Sequence, residues 1–238
     1  MTISYSVIIP AYDEQEWLPA TLDALQNAMK AIDMAGEVIV ADNNSRDRTA
    51  AIAREHGAIV VFEPINQISR ARNAGAKAAR GRYLIFLDAD TIPSTPLLQK
   101  ALGNLSSGTC CGGGTKVVYE GRVPGIVRGA TNLWNLFSVK FGMAAGCFIY
   151  CLKEAFDAIG GFSQNVYASE EIWFSRQLRA WGKQRGMDFR IISDPPLMTS
   201  SRKLQWFSPA RMLGMFVILC FFPFAVRFRH LCQLCSGP

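Results

Sequence analysis

The sequence predicts an α/β fold, a mostly parallel sheet flanked by helices. Short apolar runs rich in Val and Ile alternate with stretches of helical periodicity through the first half of the chain. Glycines stand where two of those helices should stop, and acidic residues stand directly after several of the apolar runs. Alternation of this kind makes right-handed βαβ units, in which the strands lie parallel and the helices cover the sheet.

The elements follow in order. Tyr5 to Pro10 is a buried strand by its unbroken apolar run. Glu16 to Met34 is a helix, with Trp17, Leu18, Leu22, Leu25, Met29 and Ile32 at helical spacing. Glu37 to Ala41 is the second buried strand, and Asp47 to His56 a helix ended by Gly57. Ala58 to Phe62 is the third strand, Ser69 to Arg80 a helix ended by Gly81, and Arg82 to Leu87 a fourth strand running into Asp88.

The second half is less regular. Thr109 to Val118 holds Cys110, Cys111 and three consecutive glycines, and Gly142 to Leu152 is small and apolar. Gly160-Gly161-Phe162 reads as a turn, and Glu170 to Trp181 as a helix with Ile172, Phe174, Leu178 and Trp181 on its apolar side. Phe189 to Ile192 is a last short strand. No internal repeat or low-complexity linker interrupts the chain, so residues 1–206 form one domain with halves 1–108 and 109–206, and residues 207–238 a basic apolar tail.

In open sheets of this class ligands bind beyond the C-terminal ends of the strands. That rule selects Ala11-Tyr12-Asp13-Glu14, Asp42-Asn43-Asn44-Ser45, Glu63-Pro64 and Asp88-Ala89-Asp90, and each of the four clusters carries a carboxylate. A packed scaffold has little use for so many carboxylates at one edge. Their convergence points to a site.

Bulk composition agrees with a folded domain. The 238 residues are 50% hydrophobic and 18% charged, enough to bury a sizeable core and far from the disordered class. A net charge of +6, from 25 Lys+Arg against 19 Asp+Glu, suits an anionic partner: a nucleotide diphosphate, a nucleic acid or an acidic membrane. The seven cysteines are an odd set in a chain too long to need a disulfide framework. With no basic region, hydrophobic run and cleavage site in signal-peptide order at the N-terminus, the expectation is reduced thiols and a cytoplasmic chain. Cys232 and Cys235 lack a second pair at zinc spacing and read as incidental. Met212 to Val226 is 15 residues without charge, flanked by Arg211 and by Arg227, Arg229 and His230. A spanning helix needs about 20 apolar residues, and Pro223 would kink one in this segment. The segment 207–230 is therefore expected to touch the cytoplasmic face of a membrane, its basic flanks on anionic headgroups.

Asp88-Ala89-Asp90 carries the chemistry. Two carboxylates leaving a strand can both reach a hard cation, and Mg²⁺ or Mn²⁺ takes one or two carboxylates beside water and phosphate oxygens. Such a metal neutralises the charge of a departing diphosphate. Asp42 can accept hydrogen bonds from a pyrimidine or a ribose, or can form an Asx-turn leading into the next helix. Tyr12 offers an aromatic face to a base. Arg70 and Arg72 lie near the start of the third helix on different faces, and Arg72 is the preferred phosphate ligand. Glu170 and Glu171 head a helix, where a carboxylate either complements the macrodipole or serves as a general base; nearby Tyr167, Trp173 and Phe174 could desolvate it.

With these residues in view, the chain resembles family 2 glycosyltransferases of the Rossmann-like GT-A fold, in order over about the first 200 residues. Ser6-Val7-Ile8-Ile9-Pro10-Ala11-Tyr12-Asp13-Glu14 looks like the family's opening strand and nucleotide loop. Val38 to Thr49, with Asp42 and Asp47, looks like its second strand and acidic turn. Arg72-Asn73-x-Gly75 and the run Gly81 to Asp90 resemble its approach to the metal, and Gly160-Gly161-Phe162, Glu170-Glu171 and Arg176-x-Leu178 its acceptor-side turn and base-bearing helix.

The resemblance implies a transferase moving a sugar from a nucleotide-diphosphate donor, a UDP-sugar or a GDP-sugar, to an acceptor hydroxyl with inversion. It implies that Pro10, Ala11, Tyr12, Glu14 and Asp42 border the base and ribose. Arg72 would lie near the diphosphate, Asp88 and Ala89 near the ribose and metal, and Asp90 on the Mn²⁺ or Mg²⁺. Glu171 would be the base, though the family's usual second acid is Asp, which leaves Glu170 and Glu171 both open. Arg202-Lys203 and Trp206 would close over the diphosphate. The Gln-x-x-Arg-Trp run of processive synthases is missing, so a single transfer is expected. A glycan or lipid-linked acceptor is expected, with no nucleic-acid partner. Two other readings stand beside it: a nucleotidyltransferase, whose basic glycine-rich loop is replaced in this chain by acidic Ala11 to Gln15, and a non-catalytic membrane-associated relative. A dinucleotide-binding domain lacks its Gly-x-Gly-x-x-Gly.

Overall fold

A computed structural model of the chain describes residues 2–119, 121, 123–166 and 169–199. The tail 207–238, Arg202, Lys203, Trp206 and Tyr167 lie outside the described residues. The first four strands, β1 (Tyr5–Ala11), β2 (Gly36–Asp42), β3 (Ile59–Phe62) and β4 (Tyr83–Leu87), run parallel in the order β3-β2-β1-β4. Between them lie α1 (Leu18–Lys30), α2 (Thr49–Glu55) and α3 (Ile68–Ala78), as the alternation requires. Gly57 takes a φ of +73° and ends α2.

Every residue of β1 is buried, because helices cover both faces of the sheet. Val7 and Ile9 point into one core with Leu18, Leu22 and Leu25 of α1. Ile8 points into the other, with Leu84 and Phe86 of β4. The polar residues at the start of the strands are tied off. Ser6 donates to Glu37 at 2.7 Å, and Glu37 pairs with the Arg80 guanidinium at 2.6 Å.

The second half continues the sheet with mixed direction. The chain adds β5 (Thr91–Ile92), α4 (Thr95–Ser106), β6 (Cys110–Tyr119), α5 (Gly125–Phe141), β7 (Phe148–Leu152), α6 (Lys153–Ala158), α7 (Glu170–Lys183) and β8 (Asp188–Thr199). The eight strands lie in the order β3-β2-β1-β4-β7-β6-β8-β5, with β7 antiparallel to both β4 and β6, and β6 parallel to β8. The fold is a mixed, mostly parallel sheet between helices.

Three helices go beyond the elements expected from sequence. α4 is signalled by Ser94, whose hydroxyl accepts from the Leu97 N–H, by Pro96 in the first turn, and by Leu97, Leu98, Ala101, Leu102 and Leu105 on one side. α5 carries glycines and an apolar pattern facing the wrong way, and α6 is too short for periodicity to show. The last strand runs to Thr199 rather than stopping at Ile192, although Pro195 and Pro196 interrupt its donors. A shift in the β6–β8 register between Thr115 and Val117 absorbs that interruption, and Thr199 reaches Thr91 of β5.

The three-glycine run sits inside β6 and has a packing cause. A Cβ on Gly113 would fall 1.8 Å from the Arg190 carbonyl oxygen and 2.6 Å from the Tyr150 hydroxyl. Tyr150 donates to that same carbonyl at 2.7 Å and accepts from Asn104 at 2.8 Å, so neither neighbour can retreat. Gly113→Ala is expected to cost about 2–3 kcal/mol, read from urea unfolding; an unchanged midpoint would show that the strands can part there.

Candidate active site

The parallel register sets the geometry. Ala11 of β1 pairs with Asp42 of β2, so the loop after β1 and the turn after β2 leave the same edge of the sheet side by side. Backbone groups then lock the two loops together. The Asp13 N–H donates to Ser45 at 3.1 Å, and the Arg46 N–H to Asp13 at 2.7 Å. The Glu14 N–H donates to Thr49 at 2.8 Å, and the Gln15 N–H to Asp47 at 3.0 Å. Asp13 has a φ of +52°, a left-handed value held by these bonds.

Asp42 is buried and accepts the Ser45 N–H, three residues on, at 3.0 Å, so its side chain caps the turn after β2. This bond goes to Oδ1. Tyr12, which heads this crevice, is 47% exposed and presents its ring to solvent. Pro10 and Ala11 are buried in β1, and Ala11 carries the carbonyl that the Asn43 N–H meets at 2.8 Å. Asn43, beside Asp42, fixes the next loop through Glu63, Ile65 and Gln67.

Arg72, expected near a diphosphate, is buried, with 1% of its side chain exposed. Its position on the inner face of α3 commits the guanidinium to the protein. One terminal nitrogen meets Glu170 at 2.6 Å; the other meets Asp88 at 3.2 Å and the Gly146 carbonyl at 2.9 Å. The guanidinium carbon lies 5.2 Å from the Phe162 ring centre. Burial alone would lower its pKa, but Glu170, Asp88 and Glu171 outweigh that and raise it. Arg72 is thus a fixed positive charge joining the end of β4 to the start of α7.

Neighbouring contacts hold that junction. Asn73 exchanges two hydrogen bonds with the Phe162 backbone, at 2.8 and 2.9 Å, so the turn Gly160-Gly161-Phe162 is pinned to α3. Phe162 stacks on Phe174 of α7 with centroids 4.1 Å apart. The Ala144 N–H donates to Ser175 at 3.1 Å, which seats the loop before β7 against α7. A Cβ on Gly146 would lie 3.2 Å from Arg72 and 3.8 Å from the Glu171 carboxyl carbon, so that glycine lets the cluster close. Sequence reasoning misses Gly146, and only its chain neighbourhood of small residues hints at it.

The two acids at the head of α7 separate in this setting. Glu170 is buried against Arg72. Glu171 is half-buried, and its pKa is pushed up to about 8, first by burial and then by the negative charge of Glu170. Of the aromatics named in sequence, Phe174 packs in the interior below, while Trp173 is exposed.

Asp88 follows β4, with its N–H on the Cys147 carbonyl at 3.2 Å, and Asp90 is buried two residues on. Ala89 packs into the core, its carbonyl accepting from Thr21 at 2.7 Å. Among the described residues, no group of three His, Cys, Asp or Glu side chains is placed to hold a metal ion. Two hard oxygen donors nevertheless fit Mg²⁺ or Mn²⁺, which fill their remaining positions with water and phosphate oxygens. The cleft of about 490 Å³ between the end of β6 and α5 includes none of these residues.

The order of these motifs matches a known family. The model described as Glycosyl transferase family 2 matches residues 6–160, more than half of the chain. The chain belongs to that family. An uncharacterised glycosyltransferase of Mycobacterium bovis is 37% identical over 103 residues, covering 43% of this chain and 44% of its own. The dolichyl-phosphate beta-glucosyltransferase of Drosophila melanogaster is 35% identical over 121 residues, 44% of this chain and 37% of its own. This family 2 chain thus spans less than half the length of the curated relatives it first matches.

Among solved structures, glucosyl-3-phosphoglycerate synthase of Mycobacterium tuberculosis with Mn²⁺, UDP and glucosyl-3-phosphoglycerate aligns with a TM-score of 0.61 at 20% identity. That alignment covers 99% of this chain and 81% of the synthase. S. aureus TarS 1–349 with UDP-GlcNAc gives 0.62 at 18% identity, covering 83% and 58%. At these identities the likeness shows the fold, which is GT-A.

Glu171 gives this site a stability signature. Its folded pKa of about 8 lies above the ordinary 4.5, so the protein gains stability from the protonated form below pH 4.5 and loses it as pH rises through 8. Glu171→Gln, which keeps the neutral shape, should leave the melting temperature unchanged near pH 4.5 and raise it above pH 8. A variant less stable than wild type at both ends would show that Glu171 is not held against its charge.

Proposed function

We propose that this chain is a glycosyltransferase that moves a sugar from a nucleoside diphosphate to an acceptor hydroxyl in a single inverting displacement. One observation carries the reading: Arg72 ties Asp88, after β4, to Glu170, at the head of α7, and leaves Glu171 beside them with a pKa raised to about 8. A carboxyl poised near working pH is what a general base for a hydroxyl proton needs.

The donor's base and ribose lie across the crevice after β1 and β2, with Tyr12 against the base and Asp42 on base or ribose. Pro10, Ala11 and Glu14 shape the floor and rim. Asp88 and Asp90 hold Mn²⁺ or Mg²⁺, which when bound neutralises charge on the leaving diphosphate. The acceptor oxygen forms its bond to the anomeric carbon as the bond from that carbon to the diphosphate oxygen breaks. The hydroxyl proton passes to Glu171. Glu170 takes no proton in this scheme; paired to Arg72, it holds the first turn of α7 in place. The solved relatives carrying UDP, UDP-GlcNAc, GDP-Man and Mn²⁺ support a UDP- or GDP-sugar with a divalent cation. The names of relatives acting on dolichyl-phosphate and undecaprenyl-phosphate support an acceptor at a membrane, with Glu171 needed where the accepting atom is a hydroxyl of a lipid-linked sugar.

Thermal unfolding with UDP, GDP, CDP and ADP, each with and without Mn²⁺, tests the donor half. A nucleotide at about 100 times its dissociation constant adds roughly 2.7 kcal/mol. A Mn²⁺-dependent rise with one nucleotide, absent in Asp90→Ala, is expected. A rise that Asp90→Ala leaves intact would remove Asp90 from the metal.

A further inference from the structure

We propose that the outer face of α5 is a docking surface for an anionic lipid layer, distinct from the apolar tail. The inner side of the helix is partly polar, beside the buried Val127. Facing the protein, Asn135 is buried and exchanges hydrogen bonds with both backbone groups of Val117, at 3.0 and 2.9 Å. Ser138 is buried beside it and donates to the Met143 carbonyl at 2.6 Å. Facing solvent are Leu133, Leu136, Phe137, Val139 and Phe141, with Leu136 63% exposed. Leu133, Leu136, Phe137 and Lys140 fall at i, i+3, i+4 and i+7, one continuous stripe. A helix meant for water has the opposite arrangement, and a contiguous apolar face of this kind marks an interaction site.

Charge decides what covers it. α5 carries Arg128 and Lys140 and no acid. Lys140 lies 5.7 Å from the centre of the Phe141 ring, which itself stacks on Phe137 at 5.6 Å. At the C-terminal end of the helix, Arg179 of α7 donates to the Phe141 carbonyl. A second copy of the chain packed symmetrically on this face would bring those cations against their own images. The tail carries no acid to meet these cations, and its basic flanks Arg211, Arg227 and Arg229 would lie against Arg128 and Lys140. A bilayer with anionic headgroups satisfies both properties together: leucine and phenylalanine enter the acyl boundary while lysine and arginine stay among the phosphates. No described helix is long and apolar enough to cross a membrane, so α5 would lie in the plane of the surface.

The test is co-sedimentation of the full chain with vesicles of phosphatidylcholine alone or with phosphatidylglycerol added. Wild type should bind the mixed vesicles more tightly. Leu136→Glu combined with Phe137→Glu should lower that binding roughly tenfold or more, by removing two inserted side chains. Lys140→Gln should lower it about fivefold on the mixed vesicles only, the effect of losing about 1 kcal/mol per cation. Because these side chains are exposed, melting temperatures should stay at the wild-type value, and the response to nucleotide and Mn²⁺ should be unchanged. Vesicle binding equal to wild type in the double variant would overturn the proposal. So would a fall in melting temperature, or a change in oligomeric state by analytical ultracentrifugation, with vesicle binding intact, which would mean that the tail or a second copy covers the face.

Discussion

The buried guanidinium of Arg72 is the constraint on which the site depends. It sits where three separate pieces of chain meet: the end of β4 at Asp88, the loop before β7 at Gly146, and the head of α7 at Glu170. A charge with 1% exposure persists in a protein interior only if its partners are fixed, and theirs are. Asp88 is held by the strand it leaves and by Cys147, Glu170 by a helix whose Phe174 stacks on Phe162, and Phe162 by Asn73 on the same helix as Arg72. The loop closes on itself. Removing the guanidinium would strand a buried carboxylate, a loss of roughly 3–5 kcal/mol in comparable buried pairs.

That arrangement divides labour between two adjacent glutamates. The one facing Arg72 is spent on structure. The next, turned by about 100° around the helix, shares the same dry surroundings without a guanidinium contact of its own. Burial then outweighs the pull of the Arg72 charge and of a backbone N–H on Glu171, and the charge of Glu170 adds to it. A like-charged neighbour therefore helps keep the Glu171 carboxyl neutral. The cost is stability at alkaline pH, the usual exchange at a site whose groups are held away from their relaxed state.

Much of the nucleotide half is legible in the sequence, because its signals are local. A strand buried on both faces shows as an apolar run such as Val38 to Ala41, and a helix stop as Gly57. The strand-end rule then brings Tyr12, Asp42 and Asp88 to one edge without any tertiary information. The acceptor half depends on long-range packing, which composition does not record. Nothing in Gly112 to Gly114 announces that two backbones and a tyrosine hydroxyl press against them. α5 hides because periodicity arguments assume that apolar residues face inward, whereas on this helix Asn135 and Ser138 do. Arg72 stands out in the sequence as a functional residue, but its carboxylate partners do not. An arginine near the start of a helix at a strand-end crevice reads as a phosphate ligand, and only the three-dimensional path of α7 shows a carboxylate already occupying it.

The pH dependence of kcat/KM for transfer from the donor nucleotide, compared among wild type, Glu170→Gln and Glu171→Gln, tests the division between the two glutamates most directly. Wild type should rise to a plateau through an inflection near 8. Glu171→Gln should lose the inflection and roughly 10²–10⁴ in rate, the usual worth of a general base, while Glu170→Gln keeps an inflection shifted to lower pH by the missing negative charge. An inflection that survives in Glu171→Gln and vanishes in Glu170→Gln would reverse the assignment, and Arg72 would then be paired with the base itself rather than with its structural neighbour.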